Sequence, residues 1–184
     1  NMGIYYMEMW GEGDSAITDT TSMASIVTDT IFGRDWGQPA GYWRVGRSCG
    51  GMVLGVDYDI YTTDDLTSVS AYVSGSGVSV PGAVMFGALY EVDPQGDPIW
   101  LAQTDDYVIQ SGDTNNWVTI PFNGVQTLLA GSAYMIAIGG YAHPMDTFGI
   151  ATSGAGQGAT NHIQDNGCNL GAGAFGDWYW ISSI

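Results

Sequence analysis

The chain has 184 residues, of which 45% are hydrophobic and 12% are charged, and this composition is typical of a folded domain rather than a disordered chain. It carries 19 acidic residues against three arginines and no lysine, for a formal net charge of −16. A surface this negative repels phosphate backbones and anionic lipids, so nucleic-acid binding is excluded and membrane association is disfavoured. No apolar run is long enough to span a bilayer, and we predict no membrane insertion.

The first 35 residues have a different pattern from the rest of the chain. Residues 2–10 are predicted to form a strand, with a turn at 11–14. The segment 15–35 has partly helical apolar spacing, but its β-branched residues disfavour a long helix, so we interpret it as a linker with a short helix or an irregular strand. We therefore divide the chain into an N-terminal strand and linker segment, 1–35, and a β-sandwich domain, 36–184.

From residue 36 onward, short strand-like segments follow one another, separated by turns rich in Gly, Pro and Asp. No helical pattern intervenes between them. Antiparallel strands joined by tight turns predict an all-β, antiparallel β-sandwich of the jelly-roll type, with about eight to ten short strands. The predicted strands are 52–61, 66–74, 84–92, 99–104, 107–110, 117–122, 133–139, 148–152 and 177–184.

No motif in the sequence supports catalysis. The His-Glu-x-x-His zinc motif is absent, and the Gly-x-Ser-x-Gly string at 46–50 leads into the predicted strand 52–61 and not into the helix that follows a hydrolase elbow. His143, beside Pro144, and His162, after Asn161, are interpreted as solvated or hydrogen-bonded loop residues. We therefore predict that the protein is not an enzyme and assign no catalytic residue.

Three pairs of neighbouring aspartates are candidate metal ligands. A glycosidase needs two carboxyl groups at a set separation across a cleft, which the sequence alone does not place. Ca²⁺ prefers carboxylate and carbonyl oxygens from loops, so the pairs are either solvated turn acids or calcium ligands, and calcium is the one cofactor we consider. The candidates are Asp57, Asp59, Asp64, Asp65, Asp105 and Asp106.

Aromatic residues are the best sequence indication of a binding function. Seven Trp and eleven Tyr are present, and most are expected to fill the core. Two clusters of aromatic residues are candidates for exposed rings. One lies in the Gly- and Pro-containing stretch 36–43, and the other lies at 178–180, where alternation puts both tryptophans on one face of a strand. These rings either pack in the core or form an exposed platform for sugar rings. The candidate ligand-binding residues are Trp36, Tyr42, Trp43, Trp178 and Trp180.

The two cysteines, Cys49 and Cys168, suggest one disulfide in an extracellular protein. It would close a loop of about 120 residues and stabilise the fold by about 4 kcal/mol in the chain-entropy model. The alternative is a pair of buried free thiols, because the sequence does not show whether the two Cα atoms approach closely.

Several segments resemble jelly-roll modules of large exported proteins of the Bacteroidetes phylum, the cargo of the type IX secretion system. VMFGALYEVD at 84–93 and NWVTIPF at 116–122 carry the resemblance, together with 51–61, 99–104 and 129–138, and the tail at 161–168 and 178–181 is similar to the end of such modules. The resemblance implies a surface module without a shared catalytic motif, exported by that machinery as part of a longer chain. We accordingly expect that both ends are processed or lie within a larger precursor.

These observations predict a secreted or cell-surface location and a non-catalytic extracellular module of a larger exported protein. Its role would be surface adhesion or assembly, with a glycan or a protein as the partner. Residues 2–10, as a detached strand, could pair with the sheet edge of a neighbouring module. The alternative is a carbohydrate-binding module, in which calcium would take part if the paired aspartates are ligands.

Overall fold

The computed structural model divides the chain into two units, Asn1–Gly37 and Gln38–Ile184, which are described separately. The described residues contain no helix with the length and apolarity needed to cross a bilayer. The structure describes residues 3–12, 18–27, 31–34, 39–45, 48, 50–75, 77–143, 145–153, 160–166 and 176–181.

The first unit contains a β-hairpin. Strand β1, Gly3–Glu12, pairs antiparallel with β2, Thr18–Val27, over ten residues each. The interpretation of 15–35 as a linker with a helix or an irregular strand is therefore wrong over β2. The β-branched residues that disfavour a helix there are the ones that favour a strand. Strand β1 is also not detached, because β2 already occupies one of its hydrogen-bonding edges.

The second unit is a sandwich of two antiparallel sheets, which confirms the predicted all-β fold. One sheet has seven strands in the order β13-β12-β4-β10-β6-β7, with β8 also paired to β6, and the other has four in the order β3-β11-β5-β9. The strands are β3 Gly41–Val45, β4 Gly51–Asp59, β5 Asp64–Val73, β6 Val84–Val92, β7 Pro98–Gln103, β8 Tyr107–Val108, β9 Asn116–Leu128, β10 Ala133–Gly140, β11 Phe148–Thr152, β12 Asn161–Asn166 and β13 Trp178–Trp180.

The main core lies between the two sheets. Alternation sends every second side chain into this space, as in Val69, Ala71 and Val73 of β5, and a register irregularity between Leu66 and Ser68 lets Leu66 face the core as well. The large side chains that are fully buried there come from both sheets, which ties the sheets together. They include Val45, Met52, Val73, Met85, Leu89, Ile109, Leu128, Phe148 and Ile163.

A second apolar cluster lies on the opposite face of the seven-stranded sheet. Its buried members are Val53 of β4, Phe86, Ala88 and Tyr90 of β6, and Met135 and Ala137 of β10. Strands β6 and β10 are thus buried on both faces, which explains why their sequences are almost continuously apolar rather than alternating.

This second face is concave. The ring of Trp178 on β13 contacts the ring of Tyr90 on β6, with centroids 5.2 Å apart. These strands are four positions apart in the sheet order, a separation of about 19 Å in a flat sheet. The sheet must therefore curl strongly for the rings to meet. We call this surface the concave face.

Strands β3 and β12 were not predicted, and they bring the described sandwich to eleven strands. Strand β12 includes His162, so the interpretation of that histidine as a loop residue is wrong. Its polar sequence lacks a simple alternating pattern, and β12 is a strand because it pairs with β4 on one side and β13 on the other. His143 lies outside the strands and is exposed, as predicted.

Candidate functional site

An open cleft of about 580 Å³ lies at the rim of the concave face. One wall is formed by the edge strand β13 and its neighbour β12, and the other by the end of the β6–β7 turn, residues 93–97. It combines aromatic, imidazole and carboxylate groups. The lining residues are Gly96, Asp97, Pro98, His162, Gly176, Asp177, Trp178, Tyr179 and Trp180.

Strand register determines which side chains share the cleft. His162 lies opposite Trp180, and Gln164 lies opposite Trp178, so these four side chains are on the same face of the sheet. Tyr179, between the tryptophans, packs against the main core instead. The two tryptophans therefore lie on the concave face while Tyr179 anchors β13 to the sandwich.

Each wall of the cleft is held by local hydrogen bonds. Gln164 Nε2 donates to the carbonyl of Gly176 at 2.9 Å, just before β13 begins. Gly176 has a φ of +88°, a conformation that side-chain-bearing residues rarely adopt. On the other wall, Asp93 Oδ1 accepts hydrogen bonds from the backbone N–H groups of Gln95 and Asp97, at 2.9 and 2.8 Å. These contacts fix the turns that carry the lining residues.

A histidine–carboxylate pair lies on the concave face next to the tryptophans. His162 Nε2 is 2.7 Å from Oδ2 of Asp57, and because an ionised carboxylate only accepts, the imidazole donates this bond. The other carboxylate oxygen, Asp57 Oδ1, is buried and has no hydrogen-bond partner among the described residues. Burying a polar atom without a partner is unfavourable, and Oδ1 has too little exposed surface to contact a ligand. Asp57 therefore bears on the cleft through the His162 imidazole, which it holds by the other carboxylate oxygen.

The two tryptophans have different environments. Trp178 is partly buried and meets Tyr90 in an edge-on contact with an interplanar angle of 79°. Burial of Tyr90 raises the pKa of its hydroxyl above the ordinary value of 10.0, so that group stays neutral. Trp180 is 53% exposed and presents its ring to solvent. Trp178 therefore supports the site, and Trp180 is the ring available for stacking.

The other predicted ligand-binding residues do not join this cleft. Tyr42 and Trp43 lie on β3 in the four-stranded sheet, where Tyr42 is 53% exposed and Trp43 packs against the main core. Trp36 lies outside the described residues. Cys49 and Cys168 also lie outside them, so the disulfide stays a prediction.

In two of the aspartate pairs, the carboxylates accept hydrogen bonds from backbone N–H groups or from other side chains. Asp64 Oδ1 accepts from the backbone N–H of Asp65 at 2.8 Å, and Asp65 Oδ1 accepts from the Thr127 hydroxyl at 3.0 Å. In the β7–β8 loop, Asp105 Oδ1 accepts from the Asn123 amide at 2.7 Å, and Asp106 Oδ1 from the Tyr141 hydroxyl at 2.9 Å.

The two members of the third pair, Asp57 and Asp59, have different surroundings. Asp57 lies on the concave face with His162, whereas Asp59 is exposed at the end of β4. Among the described residues, no group of three or more His, Cys, Asp or Glu side chains lies close enough to hold a metal ion. Calcium binding stays a prediction.

Sequence reasoning missed His162 and Tyr90 as members of this site. The signal for Tyr90 was present, because the nearly continuous apolar run of β6 indicates a strand buried on both faces. The signal for His162 was not, since its contact with Asp57 joins residues 105 positions apart.

No protein-family model matches the chain, and no curated protein matches it. Among solved structures, it is similar to one described as showing the basis for promiscuous specificity in carbohydrate-binding modules of the β-sandwich superfamily. The TM-score is 0.36 at 14% identity, over 83% of this chain and 73% of that chain. This similarity concerns the β-sandwich architecture only, and the type IX secretion resemblance stays a prediction.

Proposed function

We propose that this chain is a non-catalytic carbohydrate-binding module whose site is the cleft between β13 and the β6–β7 turn. The observation that carries the proposal is the placement of the exposed Trp180 ring beside the His162–Asp57 pair. A sugar ring has a flat apolar face that stacks on an aromatic ring, and hydroxyl groups that hydrogen-bond to imidazole and carboxylate groups such as those lining the cleft.

The charge of the cleft favours an uncharged sugar. Asp57, Asp97 and Asp177 lie in or beside it, and the whole chain carries a net charge of −16. A uronate or a sulfated sugar would meet repulsion there, whereas a neutral sugar would not. The proposal also includes action outside the cell as part of a larger exported chain, supported by the acidic composition and by the resemblance to exported modules.

Glycan binding is expected to depend on Trp180. In a panel of neutral oligosaccharides, followed by calorimetry on the best ligand, Trp180→Ala should weaken binding about tenfold, equivalent to about 1.4 kcal/mol of lost stacking. The matched control is Tyr61→Ala, which removes a ring that is 88% exposed and has no place in the cleft. Asp57→Ala should weaken binding as well, because it removes the carboxylate that holds the His162 imidazole in the cleft.

The panel should be run with calcium and again with a chelator. Binding that survives chelation supports direct recognition by Trp180 and the polar groups that line the cleft. Loss of binding on chelation would instead support the calcium prediction for the paired aspartates. Unchanged binding by Trp180→Ala, or no binding to any glycan, would contradict the proposed site.

Surface assembly is a second candidate function, favoured by strand β7. This strand ends the seven-stranded sheet as described, and its Ile99, Trp100 and Leu101 are 51%, 59% and 41% exposed. An exposed apolar edge strand is a template for pairing with another chain. Light scattering should then show a concentration-dependent mass increase that Leu101→Lys abolishes. A molecular mass equal to that of the monomer at all protein concentrations would count against assembly through β7.

A further inference from the structure

A row of residues crosses the outward face of the four-stranded sheet, on the other side of the sandwich from the cleft. Tyr42 on β3 lies opposite Ala151 on β11, and Tyr72 on β5 lies opposite Trp117 on β9. The pairing of Ile150 with Val73 sets Ala151 opposite Tyr72 and completes the row. The four positions therefore form one line across all four strands.

Alternation shows that this row faces away from the core. Ile150, Val73 and Val118 are buried in the main core, and each is adjacent in sequence to a member of the row. Tyr42 and Trp117 are each 53% exposed. With strands about 4.8 Å apart, the backbones at Tyr42 and Trp117 are about 14 Å from each other, with the small Ala151 and the Tyr72 ring between them.

The rings are held in place before any ligand arrives. The Tyr72 hydroxyl donates to the Asn115 carbonyl at 2.7 Å, and the Tyr72 ring meets Trp117 edge-on with centroids 5.8 Å apart. At the other end, Tyr42 lies against the backbone of β11, where a Cβ on Gly149 would be 3.2 Å from Tyr42 Cδ2. Side chains ordered in this way lose little conformational entropy on binding.

Hydroxyl groups flank the aromatic row. Ser70 and Thr119 lie two residues from Tyr72 and Trp117 on the same face, and their hydroxyl oxygens are 2.8 Å apart and exposed. These hydroxyls hydrogen-bond to each other, which leaves one O–H to donate to a ligand hydroxyl and oxygen lone pairs to accept from one. An aromatic row beside a hydroxyl pair matches a ligand with apolar faces and hydroxyl edges.

The charge on this surface identifies the occupant further. No acidic residue lies within 68–72 of β5 or 117–121 of β9, although the chain carries a net charge of −16. Arg44 lies on the same face as Tyr42, and its side chain is basic. A polyanion approaching this protein would be repelled by its overall field, whereas an uncharged chain of sugars would not. The surface therefore complements a neutral ligand.

We propose that Tyr42 and Trp117 form a second binding surface, which takes an uncharged polysaccharide chain lying across the four-stranded sheet, with Tyr72 positioning Trp117. The distance between the two rings exceeds the length of one sugar unit, so the surface requires an extended chain rather than a single sugar. This inference does not depend on the cleft, which lies on the other sheet and has its own aromatic ring.

The test is retention of the whole chain on insoluble cellulose, chitin, mannan and xylan, together with calorimetry on soluble oligosaccharides of increasing length. Trp117→Ala and Tyr42→Ala should each reduce the affinity for long chains about tenfold, and affinity should rise with chain length beyond one unit. Trp117→Phe should recover part of the lost affinity because it retains an aromatic ring. Tyr61→Ala serves as the control and should bind the insoluble polymer like the unaltered chain, while Trp180→Ala measures the separate contribution of the cleft.

Three results would overturn the proposal. The first is polymer retention that Trp117→Ala and Tyr42→Ala leave unchanged. The second is retention only on a uronate polymer such as alginate. The third is the absence of polysaccharide binding together with a self-association, measured by light scattering, that Trp117→Ala removes. That result would assign the surface to a second copy of the chain. Urea denaturation of each variant checks that the fold is retained. Loss of polymer binding in Trp180→Ala alone is a case of the first result, and it would assign that binding to the cleft.

Discussion

Replacing Phe148 with alanine is expected to lower the free energy of unfolding by about 3–5 kcal/mol. Phe148 is fully buried on β11 and faces the seven-stranded sheet from the four-stranded one. Its ring lies so close to Gly140 on β10 that a Cβ there would be 2.7 Å from Phe148 Cε1. Removing the ring leaves a cavity between two sheets that cannot easily collapse, so both the transfer free energy and the packing contacts are lost.

The measurement for Phe148→Ala is urea denaturation followed by tryptophan fluorescence. A loss of this size is a large share of the 5–15 kcal/mol that typically stabilises a domain. Tyr61→Ala is the matched control, because that aromatic ring is 88% exposed and its removal should change stability by less than about 0.5 kcal/mol. A change below about 1 kcal/mol for Phe148→Ala would show that the two sheets do not pack as described.

Replacing Gly139 with alanine is expected to destabilise the protein by about 1–3 kcal/mol through overpacking. Gly139 is on β10, and a Cβ at this position would overlap the ring of Phe86 on the neighbouring strand. Phe86 is buried in the apolar cluster of the concave face, so its ring has little room to move. The effect therefore tests whether the concave face is a packed second core.

The design includes a matched glycine and a double variant. Gly77→Ala is the control, since a Cβ there would meet nothing within 4 Å, and its stability should stay close to that of the unaltered chain. Phe86→Leu removes the ring tip that obstructs a Cβ at residue 139. The double variant Gly139→Ala/Phe86→Leu should therefore lose less stability than the sum of the losses in the two single variants. Fully additive effects, or no effect of Gly139→Ala, would mean that the Phe86 ring does not lie over Gly139.

Simple patterns in the sequence predict much of this fold. Strand β5 alternates between buried and exposed positions, and the Pro- and Gly-containing turn after β6 ends one strand and begins the next. Strand β3 lies in a Gly- and Pro-containing stretch, and β12 is polar with only one buried apolar residue, Ile163. They are strands because neighbouring strands offer unpaired edges, and a single sequence does not contain that information.

The candidate site is less predictable than the fold. Alternation correctly places Trp178 and Trp180 on one face, because it needs only local geometry. The cleft also needs the register of β12 against β4, which brings His162 to Asp57, and the curvature that brings β13 over β6. Both properties arise from long-range pairing, and a shift of one residue would send His162 to the opposite face.

The burial of β10 on both faces has a kinetic consequence for the whole sandwich. Its backbone is paired with β4 on one side and β6 on the other, and side chains cover it above and below. Its amide protons can therefore reach solvent only when the domain opens globally, whereas the short edge strand β13 can detach in a local fluctuation. A ligand that rests on Trp180 would therefore slow amide exchange at the edge of the sheet by suppressing local detachment, and it would slow exchange at the centre by stabilising the fold against global opening.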